Sequence, residues 1–326
     1  MTFSEVFIGL LPSLSFFFLG LFFKSVKVFK KEDGVLLLKF VFYLFIPALC
    51  FYRISQVDLE VKHLFITLSP LAPILFTLLL AHIYLKFYPQ PREVAGVVYC
   101  GAMNIKSSFA IPMAYAIGTT YMANSAINEG AQKVIFFDQG NLFIIFTLIY
   151  FIVVKTANRG DELPKGFVIK KLLSVPTIWA FIIAIVLNLT GLIPSYNSPA
   201  EYGPVMKFFQ FAQAPAVPII FMSLGLTFSP RLKNMSKAFS VIAMRMIGGL
   251  IAGVTLVWLA QYFLDLDTLT KKIVIIGCSV PIGFNTVVFA ALENLDERFA
   301  ATIVSLSILI GIVYVPMIIW VLGMVF

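Results

Sequence analysis

The chain has 326 residues, 60% hydrophobic and 12% charged, where an ordinary soluble domain carries about 25% charge. Its mean hydropathy is +0.97, and at about 20 apolar residues per membrane-spanning helix the composition supplies roughly ten spans with little left over. These figures exclude a soluble enzyme, a nucleic-acid-binding module and a single-anchor receptor, and assign the net charge of +8 to loops that set orientation in a bilayer.

In chain order, apolar runs between charged or turn-rich breaks predict spans near residues 5–23, 35–52, 64–87, 93–117 and 131–154. The first carries Glu5 where a leader peptide would carry Lys or Arg, so it reads as a retained helix. After the longest hydrophilic break, Lys155 to Lys171, further spans are predicted near 172–194, 205–228, 238–264, 271–292 and 299–325. The expected fold is an all-α polytopic membrane protein. Residues 1–154 form one five-helix half, 155–171 a cytoplasmic connection, and 172–326 the second half.

The halves carry matching signals. Lys39-Phe40 followed by Pro47-Ala48 in span two reappears as Lys207-Phe208 and Pro215-Ala216 in span seven, an offset of 168. Pro12 matches Pro176 at 164, and Cys100 matches Cys278 at 178. The offsets drift in one direction, as loop insertions would produce. A repeat of five spans must be inverted relative to its copy, an arrangement typical of secondary transporters. With both termini outside, the cytoplasmic loops hold 15 basic residues and the outer side six: Arg53, Lys62, Lys133, Lys207, Lys271 and Lys272. That bias is the orientation signal. It fits a multi-pass protein of the plasma (inner) membrane whose partner is the lipid bilayer, with no nucleic acid.

Spans four and nine are interrupted near their midpoints. Span four reads Gly101-Ala102-Met103-Asn104-Ile105-Lys106-Ser107-Ser108 and continues to Pro112; span nine reads Gly277-Cys278-Ser279-Val280-Pro281-Ile282-Gly283-Phe284-Asn285-Thr286. Proline removes a donor and clashes with the preceding turn, while Gly and Asn accept non-helical angles. Unwound backbone at that depth is tolerated only inside protein or a wet cavity. Two such breaks in corresponding places point to a transporter's binding site, and half-helix N-termini converging there favour an anion, typically a carboxylate.

Charges within spans are expensive and usually pair or line a cavity. Lys106 lies at a break, and Asp138 is the only acidic residue well inside a span, opening the run Asp138-Gln139-Gly140-Asn141. Lys106 and Asp138 are expected to face each other. The ammonium would stand in for a coupling cation, and the carboxylate would take up or release a proton. Arg245, about eight residues into span eight, reads first as a snorkelling side chain or a headgroup partner, with a place in the site as its second reading. Lys39 reads as a snorkelling anchor. His63, bordering the outer surface, and His82 have no second His or Cys at ligand spacing, so no metal or other cofactor is expected. Cys50, Cys100 and Cys278 fall in apolar stretches and imply no disulfide framework.

At these residues the sequence resembles the auxin efflux carrier family, a branch related to bile acid/sodium symporters. The resemblance rests on Phe45-Ile46-Pro47-Ala48-Leu49, on Asn104 and Pro112, and on Pro215, Pro218, Met222 and Gly225. Most specific is the closing segment, with Pro281, Ala290-Ala291, Asp296, Ala300-Ala301, Ser305 to Ser307 and Pro316. It implies ten helices in two inverted repeats, with broken helices four and nine crossing. It also implies a scaffold of helices one, two, six and seven that forms a homodimer, and a transport domain of helices three to five and eight to ten that moves as an elevator. The implied substrates are small organic anions. Asn104, Lys106, Ser107, Ser108, Pro112, Pro281, Gly283, Asn285 and Thr286 would bind the substrate, and Lys106, Asp138, Gln139 and Asn141 would serve coupling. Lys106 and Ala110 stand where the family often has Gly, and span nine lacks the acidic residue that sodium-coupled relatives use. The expectation is therefore sodium-independent or proton-coupled transport rather than catalysis. A bile-acid-type sodium symporter and a non-transporting sensor on the same fold are the alternatives.

Overall fold

The computed structural model describes residues 3–54, 61–106, 124–158, 173–174, 176–192, 203–228 and 235–325. Among them every regular element is a helix and there is no strand. The helices are α1 (Phe3–Ser25), α2 (Lys31–Phe40), α3 (Ile46–Ile54), α4 (Val61–Leu68), α5 (Leu71–Phe87), α6 (Arg92–Met103), α7 (Asn124–Ile144) and α8 (Tyr150–Asn158). They continue as α9 (Pro176–Leu189), α10 (Pro204–Gln213), α11 (Ala216–Thr227), α12 (Met235–Ala260), α13 (Thr268–Ser279), α14 (Asn285–Leu292) and α15 (Glu297–Val325).

Five helices among the described residues are long and apolar enough to cross a membrane: His63–Phe87, Gln132–Ala157, Pro204–Thr227, Met235–Ala260 and Glu297–Val325. They coincide with predicted spans three, five, seven, eight and ten. Ser15–Ser25 and Ile178–Leu189 are shorter apolar helices in spans one and six. The remaining spans are irregular. A π-helical turn at Val41–Phe45 joins α2 to α3 without a break, and Pro47, which has no N–H to donate, follows directly on that widened turn. Its sequence counterpart Pro215 lies at the turn between α10 and α11. Both Pro-Ala sites thus lie next to an irregular turn of their span.

The exposed residues are apolar in the way a lipid-facing surface requires. Along α4 and α5, Leu64, Leu68, Leu71, Leu75, Leu79 and Ile83 are exposed at steps of three and four, while Ile66, Ile74, Thr77 and Ala81 are fully buried. One helix face is the apolar one a bilayer would meet, and the other packs on protein, α4 against α7 and α5 against α12 and α6. On the buried side Thr77 returns its hydroxyl to the carbonyl of Pro73 at 2.8 Å, which satisfies the polar atom within its own helix. Elsewhere aromatic pairs lock neighbouring helices, with Phe17 edge-on to Phe228 at 5.8 Å and Phe51 on Phe209 at 4.3 Å.

Three residues expected at the outer surface are inside the protein. His63 is buried and stacks on Phe136 at 4.6 Å. Lys272 is buried, and Lys133 is completely so. Lys133 gains its place by pairing. Its ammonium donates to Asp267 at 2.8 Å and lies 2.6 Å from Glu129, one turn earlier on α7. Asp267 is also the N-cap of α13, accepting from the Thr270 amide and hydroxyl, each at 2.8 Å. One carboxylate therefore joins α7 to the start of α13. A hydrophobicity profile places these residues at span ends but does not show which span ends meet.

Burial pushes the Asp267 carboxyl upward, but hydrogen bonds from Lys133 and Thr270 outweigh it and hold the pKa at about 2. A carboxyl depressed on folding stabilises above its unfolded value of about 3.9 and loses that contribution as pH falls toward the folded value. The melting temperature of the wild-type protein in detergent should fall between pH 4 and pH 2 more steeply than that of Asp267→Asn. Asp267→Asn should melt lower at pH 7, and parallel curves would show that the latch contributes nothing.

Candidate functional site

The two sequence interruptions meet. α6 ends at Met103 and α13 at Ser279, and the chain beyond each is extended, with ψ of 110° at Asn104 and 161° at Val280. Ile105 and Ile282 pair as an isolated antiparallel bridge. The Lys106 amide donates to the Pro281 carbonyl at 3.0 Å, and the Gly283 amide donates to the Asn104 carbonyl at 2.9 Å. Each break thus supplies the backbone partners that the other lost when its helix stopped, the requirement for non-helical backbone at membrane depth.

Side chains reinforce the crossing from several directions. Asn104, completely buried, donates through Nδ2 to Thr286 Oγ1 at 3.2 Å. Asn141 on α7 donates to the Ile105 carbonyl at 3.2 Å. Ser307 on α15 accepts from the Ile282 amide at 3.1 Å and donates to the Val304 carbonyl at 2.8 Å. Gly283 is required by contact: a Cβ there would lie 2.3 Å from Asn104 Oδ1. The same Oδ1 is buried without a hydrogen-bond partner among the described residues, so the crossing retains an acceptor for other use; the Gln139 Nε2, on α7, is likewise buried and unpartnered.

Of the predicted residues, Asn104, Lys106, Pro281, Gly283 and Thr286 come together at the crossing, and Asn141 reaches it from α7. Asp138 and Gln139 are buried on the same helix. Asn285 is half-buried and opens α14. Ser107, Ser108 and Pro112 lie outside the described residues. Lys106 is buried, and among the described residues no ion pair joins it to Asp138 or to any other carboxylate. The amides of Thr286 and Val287, at the start of α14, are already taken by the carbonyls of Gly283 and Phe284 at 3.1 and 2.9 Å. The N-terminus of α14 therefore offers an anion less than the sequence suggests.

The residue most underrated by sequence is Arg245. It does not snorkel. Its side chain is completely buried, and its guanidinium donates to the carbonyls of Ala102 and Cys278. Those carbonyls belong to the last turns of α6 and α13. The available signal was the pair Gly248-Gly249 one turn further along, which lets another backbone approach that face of α12.

The family described as membrane transport protein matches residues 5–319 of the chain. A curated relative from Methanocaldococcus jannaschii, named an uncharacterized transporter, is 22% identical over 312 residues, covering 93% of this chain and 94% of its own length. Another from Methanothermobacter thermautotrophicus, also named an uncharacterized transporter, is 24% identical over 304 residues, covering 92% of each.

The close approach at the crossing is testable. Gly283→Ala should destabilise the protein by about 1–3 kcal/mol through overpacking. Adding Asn104→Ala should restore part of that loss, since it removes the atom the new methyl meets. A double-mutant cycle on melting temperature measures the coupling, and simple additivity would place the two residues out of contact.

Proposed function

Since the chain belongs to the membrane transport protein family, that of the auxin efflux carriers, we propose that this membrane transporter carries small organic anions, carboxylates foremost, at the crossing of its two helix breaks. The observation that carries the reading is Lys106. Its side chain is buried beside the bridged backbone, and no carboxylate among the described residues neutralises it. A buried ammonium is costly at this depth, and an arriving carboxylate would supply the missing partner. The spare amide hydrogens of Gln139 would add a donor to the same anion.

In this reading the ten predicted spans form two inverted five-helix repeats, supported by the matched Pro-Ala sequences and by the meeting of corresponding breaks. Helices of spans three to five and eight to ten move as one body against a dimeric scaffold of spans one, two, six and seven. Lys106 takes the place of a sodium ion, so transport is sodium-independent. Asp138, buried on the helix that sends Asn141 to the crossing, is the group through which a proton would couple. The membrane is the plasma (inner) membrane, with both termini outside.

A thermal-shift screen of small carboxylates, with sodium or choline as the counter-ion and across pH, tests the reading. A bound ligand raises the melting temperature by mass action. At least one carboxylate should stabilise the wild-type protein equally in sodium and choline, and should fail to stabilise Lys106→Gln. In proteoliposomes, counterflow of that carboxylate should be lost in Lys106→Gln and should lose its pH dependence in Asp138→Asn. Unchanged counterflow and pH dependence in both variants would contradict the assignment.

A further inference from the structure

Arg245 is one of the largest fully buried side chains of the protein, and its position is set by two helix ends. The last carbonyls of a helix have no partners within it, and the aligned peptide dipoles place roughly half a negative charge there. α6 and α13 both end at the crossing, so two such ends converge, together equivalent to about one negative charge. The guanidinium of Arg245 donates to one carbonyl from each, Ala102 and Cys278. Its approach to α13 depends on Gly249, where a Cβ would lie 2.1 Å from the Cys278 oxygen and 2.4 Å from the Arg245 Nη2. The Nε of Arg245 has no hydrogen-bond partner among the described residues, so the side chain is held by these carbonyls and not by a carboxylate.

We infer that Arg245 is a resident cation that holds the two half-helix ends together, occupying a carbonyl-lined position that a free monovalent metal cation would fill if the arginine were removed. Carbonyl oxygens are ligands that replace the hydration shell of alkali cations, and two helix C-termini brought together within a bilayer need a compensating positive charge. The protein supplies its own. Arg245 is therefore a positioning residue: it fixes the ends of α6 and α13, and hence the register of the bridge at Ile105 and Ile282, without touching substrate. The inference rests on the transporter reading only for its consequence, that the crossing stays assembled without bound sodium.

The experiment compares melting curves of purified wild-type, Arg245→Lys, Arg245→Gln and Arg245→Ala protein in detergent. Each is measured in choline chloride and in sodium chloride at equal ionic strength, and in choline chloride with added methylguanidinium. Wild-type protein should melt at the same temperature in sodium and choline. Arg245→Gln and Arg245→Ala should melt lower by about 5 °C or more in choline. Sodium or methylguanidinium should raise Arg245→Ala saturably, and Arg245→Lys should retain most of the wild-type stability. Three results would overturn the inference: a saturable sodium dependence in wild type, an Arg245→Gln protein as stable as wild type in choline, or an Arg245→Ala protein that neither cation rescues. Should Arg245→Ala not survive purification, the wild-type and Arg245→Gln curves decide by the same criteria. Because the readout is stability, a failed transport assay leaves this result standing, and the converse holds as well.

Discussion

Backbone amides and carbonyls within a lipid bilayer have no water to turn to, and the structure is organised around the one place where this requirement is hardest to meet. Two helices stop in the middle of the protein, each exposing unpaired backbone groups. They meet in an antiparallel bridge at Ile105 and Ile282, flanked by the Lys106–Pro281 and Asn104–Gly283 hydrogen bonds. Neither break is tenable without the other, since a single unwound segment would leave its donors and acceptors to hydrocarbon. The pairing of breaks is thus a physical necessity before it is a functional device.

Around the bridge, polar groups arrive from helices distant in sequence. Asn141 comes from α7, Arg245 from α12, Thr286 from α14 and Ser307 from α15. Each satisfies a backbone or side-chain group at the crossing. The division of charge follows the same geometry. The C-terminal ends of α6 and α13 carry negative partial charge and hold the guanidinium, whereas Lys106 lies beyond the last turn of α6 with its ammonium uncommitted to any described carboxylate. In the reading above, one cation is structural and the other is available to a ligand. A site with this polarity suits the anion proposed above.

Much of this was legible in the sequence because it depends on composition and local chemistry. Span positions follow from hydrophobicity. The breaks follow from Pro281, Gly283 and Asn104, residues that disfavour a continuing helix, and Lys106 stood out as a charge at a break. What escaped depended on which elements meet. Lys133 reads as a loop charge until Asp267 is seen beside it, because the pair spans 134 residues. Arg245 reads as a snorkelling side chain until two helix ends are seen to converge on it. Ser307 belonged to the closing segment of the family resemblance, but nothing in the sequence tied it to the crossing, since serine within a span usually bonds its own helix, as Ser307 also does through the Val304 carbonyl. The expectation that Lys106 faces Asp138 rests on depth and opposite charge alone, and among the described residues no ion pair joins them.

The contact on which everything else turns can be measured without a substrate. In the bridge, Ile105 and Ile282 form the non-hydrogen-bonded type of pair, for which Cα atoms lie about 4.5 Å apart, within reach of a disulfide. In a variant with Cys50, Cys100 and Cys278 replaced by alanine, Ile105→Cys and Ile282→Cys would be introduced together, with a protease site between residues 155 and 171. After oxidation and cleavage the two halves should migrate as one species without reductant and separate once it is added. Halves that separate without reductant, under conditions that fully oxidise a control pair, would mean that the two breaks do not meet.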